Sequence, residues 1–98
     1  MQARLAKKAD NAALFLTAFA NSKRIQIICE ILNEELPVGT IADRVGLSQS
    51  ALSQHLARLR GLGLVQTRRD KQTIYYSCKS KDVRLLFDTL DQIFVAGK

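Results

Sequence analysis

The sequence predicts a mainly helical domain carrying one small β-hairpin, in the order α-α-α-α-β-β-α. Three observations carry this reading. Apolar residues recur at helical spacing through most of the chain, change to alternation between Leu64 and Cys78, and then return to helical spacing. A short helical segment, Thr40–Val45, is followed by Gly46, which can take the left-handed backbone of a tight turn. The next stretch, Ser48–Gly61 (SQSALSQHLARLRG), has a leucine face and a polar face that contains no carboxylate.

Each element follows from its residues. Leu5, Ala9, Ala12, Ala13, Leu16 and Phe19 give one helix from about residue 4 to 20. Asn21 and Ser22 suit the cap of a second helix running to about Asn33, with Ile25, Ile28, Cys29 and Leu32 on its apolar face. Pro37 and Gly39 break the pattern before the short helix, whose Ile41 and Val45 turn inward. Ser48 is a good N-cap for the next helix, and Leu47 with Leu52 has the spacing of a hydrophobic staple. Leu52, Leu56 and Leu59 form its buried stripe. LVQTRR and TIYYSC are alternating β-branched and aromatic runs joined through Asp70, Lys71 and Gln72, which is a hairpin. Ser80 caps a last helix to about Val95, with Val83, Leu86, Phe87, Leu90, Ile93 and Phe94 apolar.

A short helix, a glycine turn and a capped second helix make a helix-turn-helix, and a basic hairpin directly after it makes a wing. The expected architecture is one winged helix-turn-helix domain over residues 1–98. Its apolar stripes exceed what so small a domain needs, so a homodimer through the first and last helices is expected. Leu16, Phe19, Leu86, Phe87, Leu90 and Phe94 are the interface candidates.

Composition narrows the function. A net charge of +6 on 98 residues suggests nucleic acid or an anionic surface as partner. The apolar runs are too short and interrupted for a membrane span. The N-terminal stretch begins basic and turns apolar as a signal peptide does, but Asp10 and Thr17 interrupt it, so export is not expected. Two cysteines without metal-like spacing fit a reducing cytoplasm. No nucleophile–base pair, glycine-rich phosphate loop or paired carboxylates are present, so no catalysis and no cofactor are expected.

The partner chemistry is written on the polar face. Glutamine, serine and arginine are side chains that hydrogen-bond base edges and phosphates, whereas a solvated helix usually mixes Glu with Lys. Ser48, Gln49, Ser50, Ser53 and Gln54 are the candidates at the groove, with His55 and Arg58 beside them. His55 fits a packed histidine as well as a phosphate contact. Arg68, Arg69, Lys71 and Gln72 of the hairpin are candidates for flanking DNA. The expected partner is double-stranded operator DNA. A winged helix that binds protein instead is the competing class, and such a module has no need for a carboxylate-free face.

The stretches ANSKRIQIICEILNEELPVGTIADRVGLSQSALSQHLARLRGLGLV and TRRDKQTIYYS resemble the ArsR/SmtB winged-helix regulators of bacteria, and within them the group of NolR, HlyU and BigR. The resemblance extends from about Ala12 to Phe94. It implies a homodimer that binds a palindromic operator and represses transcription, or competes there with another repressor. It also locates the family's sensor positions. The CxC metal motif of some members falls on Pro37 and Gly39, and the last helix has no histidine, so no metal site is implied. Cys29 matches one cysteine of the thiol and persulfide sensors, while Val95 stands where the second would be. A thiol-responsive regulator acting through Cys29 is therefore the alternative to one set only by its own concentration. Read from helical spacing alone, Cys29 is expected inside the core.

Overall fold

The computed structural model describes residues 2–95. Its elements are α1 (Gln2–Ala6), α2 (Ala9–Thr17), α3 (Ser22–Ile31), β1 (Leu36–Pro37), α4 (Val38–Val45), α5 (Gln49–Gly61), β2 (Gln66–Asp70), β3 (Thr73–Ser77) and α6 (Lys81–Phe94). The strands form one antiparallel sheet in the order β1-β3-β2.

The core is built where α3, α4, α5 and α6 meet. Ile27, Ile28, Ile31, Ile41, Leu52, Leu56, Leu59 and Val83 are essentially inaccessible. The leucine stripe of α5 is thus buried as its spacing predicts. Phe15, Phe19 and Phe87 stack edge to face, with centroids 5.3 and 5.4 Å apart, and fasten the end of the N-terminal helical region to α6. Helix ends are closed by the expected residues. Asn21, Ser48 and Ser80 each accept a hydrogen bond from a backbone N–H three residues on.

Four expectations are corrected. The N-terminal helix is two helices. At Lys7–Lys8 the ladder tightens, Lys8 N–H donating to the Leu5 carbonyl at 2.8 Å, and Lys8 leaves helical geometry (φ −107°, ψ 18°). The break between the second and third helices holds a strand: Leu36 pairs with Tyr76 and Pro37 with Tyr75. Two residues ending in proline carry no strand periodicity, so the pairing is visible only from β3. Helix α3 has two apolar stripes, and the buried one is Ile27, Ile28 and Ile31; Ile25 and Leu32 are half-buried and Cys29 is exposed. Finally, Phe19 and Phe87, expected between subunits, lie inside this chain's own core at 4% and 7% exposure. The aromatic stack encloses them, which leaves Leu16, Leu86, Leu90 and Phe94 of the six candidates with accessible surface.

Candidate nucleic-acid interface

The turn between α4 and α5 sets the angle of the exposed face. Gly46 takes the left-handed conformation (φ 70°, ψ 41°), and the Gly46 and Leu47 N–H groups both donate to the Ala42 carbonyl. The Lys23 ammonium donates to the Val45 carbonyl at 2.5 Å, closing the last turn of α4 from the side of α3. Arg44 of α4 reaches Glu30 of α3 at 3.2 Å and Glu34, in the segment just after α3, at 2.9 Å. Its guanidinium is therefore held by carboxylates.

With Leu52, Leu56 and Leu59 buried, the opposite face of α5 is forced outward. Gln49, Ser50, Ser53, Gln54, Arg58 and Arg60 are all exposed, and Ser48 caps the helix at its start with its hydroxyl 3.1 Å from the Ala51 nitrogen. The Gln49 amide lies against the first turn of α4, where a Cβ on Gly39 would meet Nε2 at 3.5 Å. This face gathers amides, hydroxyls and guanidinium groups with no acid among them. His55 is half-buried at its edge. Partial burial, and then the nearby Arg24 charge, push its imidazole below the ordinary histidine range, so it is neutral at pH 7.

The hairpin turns in two residues, Lys71 and Gln72, between the paired Asp70 and Thr73. Lys71 has a positive φ of 60°. Alternation puts Arg68 and Arg69 on opposite faces of β2. Arg69, Lys71 and Gln72 are exposed toward the tip. Arg68 is different. Its Nε and Nη2 donate to the Glu35 carboxylate at 2.6–3.1 Å, and its guanidinium covers the Tyr75 ring. Of the hairpin's DNA-contact candidates, Arg68 is thus held by a carboxylate 33 residues away. Glu35 was not singled out in the sequence, and no local spacing signals a pair so distant.

The two cysteines are unbridged. Cys78 lies beside the end of α3: its N–H donates to the Ile31 carbonyl at 3.0 Å. The two residues border different grooves. Cys78 is buried and borders a groove between the end of α3 and the sheet, whereas Cys29 borders a groove of about 450 Å³ between α3 and α6, with Leu90, Asp91 and Phe94. Among the described residues there is no cluster of three or more His, Cys, Asp or Glu that could hold a metal. Nor is any helix long and apolar enough to cross a membrane.

A glycine-turned helix pair that presents a polar helix beside a short basic hairpin defines the chain as a winged helix-turn-helix protein. Residues 21–67 match the model of the bacterial regulatory proteins of the arsR family. The chain is 54% identical over 86 residues to the nodulation protein NolR of Rhizobium meliloti, spanning 88% of this chain and 70% of that protein. Its fold is similar to the crystal structure of the transcriptional repressor BigR from Xylella fastidiosa, with a TM-score of 0.91, 30% identity and 98% coverage of both chains. It is also similar to a solution structure from Mycobacterium bovis, described as a homodimeric winged helix-turn-helix DNA-binding domain of a possible ArsR-family transcriptional regulator. There the TM-score is 0.78 and the identity 32%, over 92% of this chain and 83% of that one. The chain belongs to the ArsR family of bacterial regulatory proteins.

Proposed function

We propose that the chain is a homodimeric transcriptional repressor in which each subunit lays α5 in the major groove of a palindromic operator. The observation that carries this reading is the exposed, carboxylate-free face of α5, held at a fixed angle by Gly46 and Lys23. Gln49, Ser50, Ser53 and Gln54 read base edges, and His55 lies beside them at the edge of the contact face. Arg58 of α5 and Arg69 and Lys71 of the wing contact phosphate. Repression is what BigR's description says of that protein, and it is proposed here by similarity.

Dimerisation is supported by the N-terminal helices, since neither α1 nor α2 contains a buried residue. No metal response is proposed, for the family's CxC positions are Pro37 and Gly39. Thiol gating is considered because Cys29 is exposed. Partial burial of its thiol in the groove, and then the Glu30 and Asp91 carboxylates, push that thiol up, so little thiolate is present at neutral pH. With Cys78 facing another groove, we propose a regulator that is not gated by a disulfide between these thiols.

Salt dependence is the test. Arg58, Arg69 and Lys71 of two subunits neutralise about six phosphates, so log K falls against log salt with a slope of about −5. Fluorescence anisotropy on a duplex selected by the protein from a random pool measures this slope. Affinity that ignores salt refutes the proposal.

A further inference from the structure

The wing contains one arrangement that the proposed DNA contacts leave unused. Glu35 immediately precedes β1 and the entrance to α4, while Arg68 lies in β2, with β3 between the two strands. The Glu35 carboxylate receives Arg68 Nε at 3.0 and 3.1 Å and Nη2 at 2.6 Å. The guanidinium carbon is 4.7 Å from the centroid of the Tyr75 ring. Tyr75 is the β3 residue paired with both Pro37 and Arg68. The row Pro37–Tyr75–Arg68 thus crosses all three strands, and Arg68 at its β2 end reaches back to Glu35, two residues before Pro37.

The backbone alone holds the wing weakly. Strand β1 is two residues long, and a two-stranded hairpin is marginal without support. A guanidinium–carboxylate fork is planar and directional, so it fixes an angle as well as a distance. What it fixes here is the hairpin against the segment that leads into α4, and α4 packs on α5. The pair is also electrically neutral as a unit. A phosphate approaching Arg68 would have to displace a carboxylate already making three hydrogen bonds.

We propose that Glu35 and Arg68 are positioning residues for DNA binding: their pair, laid over Tyr75, sets the wing's angle to the helix-turn-helix, and Arg68 itself does not contact phosphate. The inference rests on the reading of the hairpin as a wing that touches flanking DNA.

The probe is the duplex that the unmutated protein selects from a random pool, made with and without the base pairs outside the half-sites. Glu35→Gln, Arg68→Gln, Arg68→Lys and the Glu35→Gln/Arg68→Gln double variant are compared by anisotropy over a salt series. Each single variant lowers affinity for the long duplex by about two- to fivefold, the range of a surface ion pair. Arg68→Lys behaves as Arg68→Gln, since it keeps the charge but loses the fork. The double variant loses no more than either single one, and the salt slope does not change. On the short duplex all five proteins bind alike, a result that general damage to the fold would not give. A slope reduced by about one per subunit in Arg68→Gln, with Glu35→Gln binding more tightly, overturns the proposal and makes Arg68 a phosphate contact restrained by Glu35. Losses that persist on the short duplex also overturn it. If the unmutated protein binds both lengths equally, the wing reading fails and the inference with it. If it prefers the long duplex and Glu35→Gln matches it, only the positioning role fails.

Discussion

Lys71 occupies a backbone conformation that suits glycine or asparagine, at the first position of a two-residue hairpin loop. A lysine there is costly to the fold, and it serves the proposed phosphate contact of the wing. Lys71→Gly should raise stability by about 0.5 kcal/mol, the relief of left-handed strain less the added freedom of the unfolded chain. It should also reduce the salt slope by about one per subunit. Thermal unfolding and anisotropy check the two directions separately. His55 gives a prediction of a different kind. Its folded pKa is lowered by partial burial and Arg24, so below about pH 6.5 the unfolded chain binds the proton more readily. Stability is therefore full above that value and falls as pH drops toward the folded pKa. Glu35, held below the usual carboxylate range by Arg68, titrates lower still. A melting-temperature series from about pH 7.5 to about pH 5.5 should fall for the unmutated protein and be flatter for His55→Gln. Equal slopes would show that His55 is not the titrating group. At this scale the sequence was only partly legible. The serine and glutamine face of α5 could be read because its pattern is local, whereas the fate of Arg68 depends on Glu35, brought near by the sheet.

Among elements, α5 was the most legible, because its cap, its leucine stripe and the preceding glycine all indicate the same boundaries. β1 was illegible for the opposite reason: Leu36 and Pro37 become a strand only because Tyr76 and Tyr75 lie beside them. The two stripes of α3 show a third case. Ile27, Ile28 and Ile31 and the neighbouring Ile25, Cys29 and Leu32 both satisfy helical spacing, and tertiary packing selects between them. Helix and wing should also differ in what they contribute to binding. Gln54→Ala on α5 should change sequence preference, by about 1–3 kcal/mol at the base pair where a bidentate contact is lost. Arg69→Ala on the wing should weaken all sequences alike and reduce the salt slope by about one per subunit. Selection from a random pool with each variant measures the first effect, and anisotropy in a salt series the second. If the wing variant alters the preferred sequence while the helix variant does not, the two roles have been assigned the wrong way round.

The whole molecule presents an imbalance that a second copy would resolve. Helices of five and nine residues are too short to persist in water on their own propensity, and neither α1 nor α2 has a buried residue within the single chain. Leu5, Leu14 and Leu16 along them are more than half exposed. At the other end of the sequence, Phe94 is 72% exposed and borders the groove between α3 and α6. So much apolar surface on a domain of this size marks an interaction face. In the proposed dimer that face brings two copies of α5 onto one side of the duplex. Phe94→Lys isolates the idea. The side chain contributes little to the core of its own subunit, so the helix-turn-helix should remain folded. A lysine buried in a two-fold interface appears twice, once from each subunit, and each copy adds a desolvation cost. Sedimentation should show a monomer, and circular dichroism should lose the helicity of α1 and α2 while α3–α6 persist. Operator affinity should fall about 10²–10⁴-fold, since each half-site is then bound without the tether that dimerisation provides. A variant that remains dimeric would place the interface elsewhere. A monomer that kept full operator affinity would remove the need for two subunits altogether, and with it the expectation of a palindromic site.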